Sequence, residues 1–521
     1  MRNRYYIYIM VLSVLGFQAE AQGQETIQYA PRLVVNITID QLRTDYLKAF
    51  APLYGAEGFK KLLAEGLVYE NASYPFSNID RASAIASVVT GVSPYYHSII
   101  GERWLHKETL RPIRCTEDPK QTGLPSPNQL QVSTIGDELK VATQGQAKIF
   151  AIAPHQDAAI LSAGHAADGA FWLDSQTGLW KTSTYYLNAL PSWILGINEL
   201  RSPAANIKKV TWEPLFELTG SFNYYQHVGD QKPFKHTFKG DRKFIAYQAS
   251  GLVNSDITEM AQQCVTNHGV GYDRVTDLLC LTYYAGTFDH KPVSECQLEL
   301  QDTYVRLDQE LATLIRSLER ILGAEHVLFV ITSTGYCDEE ATDYAQYKIP
   351  TGTFYIDRTA NLLNMYFGAI WGQGRYVETC FKNQIFLNHQ LLESKRISLT
   401  DAGQRAQEFI SQLEGVRNVY TALQLLSGNN PQIYKIRNGF NPERNGDIMI
   451  EVSPGWQLVN ETTQDQQLSR ASYTQFPLII YGTGIQAEKV NTPVTIDRIA
   501  PTIAKTIRIR APNACSSEPL F

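Results

Sequence analysis

The side chains able to do chemistry in this chain sit where apolar runs end. Asp40 closes the run that begins at Leu33, and the five apolar residues from Val327 to Ile331 lead into Thr332-Ser333-Thr334-Gly335-Tyr336. A buried strand ending in a small-residue turn is how an α/β enzyme presents ligands or a nucleophile at the carboxyl edge of its sheet. The second tip, however, carries neither an acid nor a histidine. Asp289-His290 has the residue types of a metal-binding pair, yet neighbouring side chains on a loop usually face apart. Ser83 and Ser87 lie in an Ala/Ser/Val run of helical character, without the Gly-x-Ser-x-Gly turn of a serine hydrolase. Their small side chains are expected to let a helix lie close on the sheet. His97 and His165 are expected to be hydrogen-bonded structural histidines. Asp338-Glu339-Glu340 lacks the alternating oxygen ligands of a calcium loop and reads as a solvated turn.

The elements that would position these residues alternate between strand and helix. Strand-like runs cover 32–40, 148–154, 277–284 and 326–335, with helical patterns from Asp80 through Val89 and over Gln297–Leu322. That alternation predicts an α/β fold, a mostly parallel central sheet covered by helices on both faces, with its site at the strand tips. Between about 174 and 251 the pattern loosens into Trp, Tyr, Pro and Lys-rich sequence, which predicts an inserted cap. A second irregular stretch, near 358–444, predicts one strand (YVETCFKNQIFL) followed by one helix (DAGQRAQEFISQLE). There is no internal repeat and no low-complexity tract.

Composition excludes little beyond nucleic-acid binding. The 521 residues are 44% hydrophobic and 19% charged, an ordinary globular balance, and a net charge of -6 gives no reason to expect a polyanionic partner. The first residues, MRNRYYIYIMVLSVLGFQAEAQG, place Arg2 and Arg4 before an apolar run and then Ala19-Glu20-Ala21. This is a secretory signal pattern, with cleavage expected after Ala21 and a mature chain over 22–521. The apolar run is too short to span a bilayer, so no transmembrane segment is expected after signal removal, and the periplasm or a further exported location follows. Outside the cytosol some of the seven cysteines are expected to pair, with at least one left free. None sits at zinc-site spacing.

Taken in order, VVNITIDQLRTDYL, SVVTGVSPYYHSIIGERW, AILSAGHAADGAFWLDSQTG, QDTYVRLDQELATL, PLIIYGTGI and DRIAPTIAKTIRI resemble the alkaline phosphatase superfamily. The resemblance is to bacterial exported phosphatases with a threonine nucleophile, akin to the nucleotide pyrophosphatase and phosphodiesterase branch. It implies two zinc ions bracketing a phosphate ester, which lower the nucleophile's pKa and stabilise the leaving oxygen. Position by position, this chain departs from that set. Asp40 matches the first metal-binding aspartate. The nucleophile position, ten residues before Gly91, is Arg81, a permanently protonated side chain with no lone pair for attack. A phosphate-contacting asparagine becomes Glu102, and a Lys-x-Arg phosphate pair becomes His155-Gln156-Asp157. The Asp-x-x-x-His metal pair becomes Ala285 and Asp289; counting from the downstream helix recovers His290 but still no acid at Ala285. The Asp-His tip becomes Thr334-Gly335, and the last metal histidine becomes Gln475.

The resemblance therefore implies the family fold with a degenerate metal site, of which only Asp40 is left. The sequence reading is an exported, catalytically inactive alkaline-phosphatase-like protein with no cofactor, acting as a binding or assembly component for an unidentified protein or small molecule. A lone buried acid needs a counter-charge, so Arg81 is expected to pair with Asp40. The alternative is a zinc-dependent phosphomonoesterase or phosphodiesterase with a metal site rebuilt from Asp40, Asp289, His290, His155 or Asp157.

Overall fold

The computed structural model describes residues 30–216, 233–337, 347–428, 430, 433–468 and 474–521. The expected signal segment and the Asp338-Glu339-Glu340 turn lie outside the described residues. The central strands are β1 (Leu33–Asp40), β2 (Leu67–Ser73), β3 (Ile149–Ala153), β4 (Gly169–Leu173), β5 (Trp180–Lys181), β6 (Asp277–Tyr284), β7 (Val327–Ser333), β8 (Phe476–Gly482) and β9 (Glu488–Val490). They run across the sheet in the order β9-β2-β8-β7-β1-β6-β3-β4-β5. The stretch from β7 to β4 is parallel throughout, while β8 is antiparallel to both β7 and β2, and β5 is antiparallel to β4. The mostly parallel sheet read from the sequence is the one observed.

Both faces of this sheet are covered, and the strand sequences show why. β1, β6 and β7 are buried along their whole length. Their side chains alternate between two cores: Leu33, Val35, Ile37 and Ile39 enter one, with Leu279, Leu281, Phe329 and Ile331, while Val34, Leu278, Cys280, Leu328 and Val330 enter the other. A two-residue repeat splits an all-apolar strand in this way between two helix layers. On the first face lie α3 (Val253–His268) and the long α4 (Gln297–Leu322); on the second lie α1 (Arg81–Thr90) and α2 (Gln156–Ala163). Every residue of α1 is buried. Its run of Ala and Ser lets the helix approach the sheet, and it ends at Gly91, whose φ of 69° is left-handed.

The two irregular stretches differ in kind. Over 174–251 the chain forms the short helices Ser192–Leu200 and Pro203–Asn206, a two-stranded ribbon and the helix Lys243–Gln248. It is tied down on α4 by Trp212 Nε1 donating to Asp302 at 2.6 Å and by His236 paired with Glu299 at 2.6 Å. The second stretch corrects the single-strand expectation. YVETCFKNQIFL folds as a hairpin, Val377–Phe381 and Gln384–Leu387, within a four-stranded antiparallel sheet completed by Ile448–Val452 and Val416–Thr421. Helices Ile356–Trp371 and Leu399–Ile410 back this sheet around a separate core that includes Leu363, Phe367, Ile385 and Ile448. The expected disulfides are likewise absent: none of the seven cysteines is bridged, and Cys115, Cys264, Cys280 and Cys296 lie in the core. No helix among the described residues is long and apolar enough to cross a membrane.

Candidate functional site

The carboxyl ends of β1, β6, β7 and β3 meet on one edge of the sheet, and Asp40 stands at the centre of it. Parallel registry places Asp40 opposite Tyr284 and Ile39 opposite Ser333. The next residue on each neighbour then turns toward β1: Ala285 N–H donates to the Asp40 carbonyl at 2.8 Å, and Thr334 N–H to the Ile39 carbonyl at 3.3 Å. Thr334 closes the tip further, its hydroxyl donating to Asp40 Oδ1 at 2.9 Å and accepting from Gln41 N–H at 2.9 Å. Tyr336 brings its hydroxyl to 3.5 Å from Asp40 Oδ2. The Ser-Thr-Gly-Tyr tip is a hydrogen-bonded plug on a carboxylate that is itself only 1% exposed.

Opposite this plug, α1 delivers Arg81. Asp80 caps the helix through a reciprocal box with Ser83, which fixes the first turn and aims the next side chain inward. The guanidinium meets three carboxylates. Nη1 lies 3.5 Å from Asp40 Oδ2, Nη2 lies 2.9 Å from Glu102 Oε1, and Asp157 is held by two bonds, 3.0 Å from Nε and 3.3 Å from Nη2. The expected Arg81–Asp40 ion pair is therefore formed. Burial opposes the Arg81 charge, but Asp157 and Glu102, then Tyr336 and Asp40, outweigh it and hold its pKa well above the ordinary arginine value. Arg81 pulls the Glu102 carboxyl down, yet burial and the neighbouring Asp157 and Asp80 push it up to about 7. One cation cannot neutralise three acids, and Glu102, 43% exposed at the rim, bears the surplus.

His155 stands at the start of α2, with its Nε2 buried and without a hydrogen-bond partner. Burial first, then Arg81 and His290, keep this imidazole neutral, its pKa well below the ordinary value. His290 thus stays near His155, while Asp289 and Gln475 are directed elsewhere. Asp289 is drawn toward the cap by Arg242, 3.2 Å away. Gln475 is exposed, and its main-chain carbonyl accepts from Thr44 N–H at 2.9 Å. Gly335 has φ 68°, and a Cβ there would lie 2.7 Å from both the Phe476 and Tyr74 rings, leaving no room for a ligating side chain.

These donors do not fit the zinc pair implied by the resemblance. Zinc wants about three carboxylate, imidazole or thiolate ligands per ion. Among the described residues no group of three or more His, Cys, Asp or Glu is placed to hold a metal. Where the carboxylates do converge, on Asp40, Glu102 and Asp157, the Arg81 guanidinium is already between them. The serine and histidine candidates are structural. His97 Nδ1 accepts from Ile99 N–H at 3.1 Å, so its Nε2–H donates to Ser87 Oγ at 2.8 Å. The proton thus points from histidine to serine, the reverse of base activation, and burial lowers the His97 pKa to about 3. His165 bridges Asp137 at 2.9 Å and the Leu130 carbonyl at 3.1 Å.

Two contributors were not singled out from the sequence. Tyr336 completes the Asp40 shell, and Lys382, from the turn of the inserted hairpin, reaches within 4.0 Å of Asp80 Oδ2. The Lys382 contact joins residues about three hundred positions apart in the chain, and no local pattern signals it.

Comparison with known proteins agrees with the fold. Residues 34–475 match the family model for type I phosphodiesterase / nucleotide pyrophosphatase. The chain is 28% identical over 510 residues to alkaline phosphatase PhoV of Synechococcus elongatus, covering 93% of this chain and 91% of that protein. It is 26% identical over 518 residues to alkaline phosphatase PafA of Elizabethkingia meningoseptica, covering 94% of each. The crystal structure of wild-type PafA superposes with a TM-score of 0.78 at 25% identity, covering 94% of this chain and 98% of that one.

Proposed function

The chain belongs to the type I phosphodiesterase / nucleotide pyrophosphatase family, and we propose that it uses the family fold for binding rather than for metal-dependent phosphoryl transfer. The observation that carries this reading is Arg81. Phosphoryl transfer by a two-metal site needs a nucleophile and two cations around the transferring group. Here the nucleophile position holds a guanidinium, which has no lone pair, and its charge is already committed to Asp40, Glu102 and Asp157. The alkaline phosphatase names of the relatives make phosphomonoester or phosphodiester hydrolysis the competing reading. Against it stand the donor set at the strand tips and a rim in which Glu102 and Asp157 would face an incoming phosphate with like charge. The amino-terminal signal pattern supports an exported protein, and the loose sequence at 174–251 and the segment near 358–444 are two insertions into one phosphatase-like domain.

The test is direct. Purified mature protein is expected to carry substoichiometric zinc and to turn over neither p-nitrophenyl phosphate nor bis-p-nitrophenyl phosphate. Stoichiometric zinc, with turnover abolished by Asp40→Ala, would overturn the proposal in favour of a rebuilt metal site.

A further inference from the structure

Beside the Arg81 cluster the protein opens a cleft of about 1500 Å³ between the strand-tip loop and the inserted four-stranded sheet. Small-molecule pockets are typically about 300–1,000 Å³, so this space suits a chain of units better than a single compact ligand. Tyr336 forms the partition: its hydroxyl faces Asp40 on one side, and the residue lines the cleft on the other.

The chemistry of the walls narrows the class of ligand. Amide side chains dominate: Asn78 and Asn383 near the mouth of the site, Asn418 on the sheet, Gln407 and Gln424 on the helices. Phenols accompany them, Tyr336 and Tyr420 together with Tyr434, whose ring is 50% exposed. The Glu451 carboxylate is held on the sheet by Asn418 Nδ2 at 2.8 Å, with the Tyr420 hydroxyl at 3.4 Å and Arg417 Nη1 at 3.6 Å. Among the described lining residues the only cations are Arg417, which leans on that carboxylate, and Lys435. Among the described lining residues there is no cationic cluster of the kind that meets a phosphate or a nucleic-acid backbone.

A planar amide offers donors and acceptors side by side, matching a hydroxyl, which is both. An exposed tyrosine ring offers an apolar face with a polar edge, matching the C–H face of a pyranose. An extended peptide would want a free strand edge instead. The edge strand Val416–Thr421 is blunted, Gln407 Nε2 donating to the Val419 carbonyl at 2.7 Å and clasped by Gln424 at 3.0 Å, whereas the edge strand Asp465–Leu468, which lines the cleft through Gln466 and Gln467, makes a peptide the competitor that the experiment must exclude. Glycoside hydrolysis requires two carboxylates flanking the bond, whereas Glu451 is the only acid among the described lining residues.

We propose that this cleft binds a neutral oligosaccharide, with Tyr434, one side of whose ring meets Arg437 at 5.5 Å, as a stacking face and with Glu451, Asn78 and Gln467 reading the sugar hydroxyls. The proposal rests on the binding reading given above and names its ligand class.

The experiment is calorimetric titration of the full mature chain with maltohexaose, cellohexaose, xylohexaose and chitohexaose. Binding of at least one is expected, with Kd between about 1 μM and 1 mM. Tyr434→Ala and Glu451→Gln, each checked for a wild-type unfolding midpoint, should each weaken it at least tenfold. No binding of any of the four overturns the proposal. So does binding that both variants leave unchanged, or binding of an alternating Thr/Ser decapeptide in place of the saccharides. Phosphatase turnover by the same preparation would sink the non-catalytic reading instead, so the two failures are told apart.

Discussion

Replacing Arg81 with methionine tests the central claim that a guanidinium neutralises the strand-tip acids. Methionine keeps most of the stem volume, so the change removes charge and donors more than packing. The side chain being replaced is 10% exposed, and its partners Asp40 and Asp157 are 2% and 14% exposed. Removing one partner of a buried pair typically costs about 3–5 kcal/mol, because the remaining charge is left uncompensated. Glu102, 43% exposed, should contribute little to that cost, since exposed pairs are worth about 0–1 kcal/mol. Asp40 keeps its Thr334 hydrogen bond, which places the expected loss at the lower end, about 3 kcal/mol at pH 8.

The loss should also depend on pH in a stated direction. Without Arg81, Asp40 and Asp157 lose the cation that offsets the cost of burying them charged, so the penalty is largest at pH 8, where carboxylates are ionised, and shrinks as pH falls toward about 4. Urea unfolding followed by tryptophan fluorescence at pH 8 and pH 5 measures both quantities. A midpoint shift equivalent to less than about 1 kcal/mol at pH 8, or a shift independent of pH, would refute the reasoning.

Glu102→Gln probes the surplus acid. Its carboxyl is pushed up to about 7, above the ordinary unfolded value near 4.3, so ionising it costs stability that is intact below about pH 4 and lost by about pH 7. The variant's unfolding midpoint should therefore gain on wild type between pH 5 and pH 8; a constant difference would contradict the assignment. Gly335→His, which restores a ligand type at the tip, should fail: a left-handed φ of 68° and rings 2.7 Å from any Cβ predict a loss of at least about 2 kcal/mol and no gain in zinc content. Zinc uptake by a stable Gly335→His protein would show that the tip has room that its geometry denies.

The scaffold was legible in the sequence wherever a long apolar run met a turn. The strand Asp277–Tyr284 and the helix Gln297–Leu322 have the bounds their patterns suggest, because one is a continuous buried run after Asp277 and the other keeps a buried apolar face over its whole length. The inserted hairpin was not legible. Its turn, Lys382-Asn383, carries no glycine or proline, and although Asn383 favours turns it is Lys382 that adopts the left-handed φ of 50°, so the bend is not announced as an Asn-Gly pair would announce it. The expected disulfides failed for a related reason. An exported setting would permit pairing, but Cys115, Cys264, Cys280 and Cys296 are small apolar fillers in the core rather than facing pairs.

The site was legible as separate departures from a family pattern; how those departures fit together is a property of the fold. Asp40 is buried at the end of a strand that the sheet cannot do without, so its charge has to be answered whether or not a metal is bound. Arg81 answers the charge, and the Thr334 hydroxyl takes the oxygen facing away from it. Gly335 lets the Tyr74 and Phe476 rings close over the tip, and Tyr74 then donates to the Ser333 carbonyl at 2.7 Å. Thr334 and Gly335 are compatible with their neighbours and incompatible with the metal ligands that the resemblance implies at their positions, as Arg81 is with the implied nucleophile. Restoring one ligand alone would therefore leave a buried clash or an unpaired charge, and building the implied metal site would take changes at Ala285, Asp289 and Gln475 as well as at Arg81, Thr334 and Gly335.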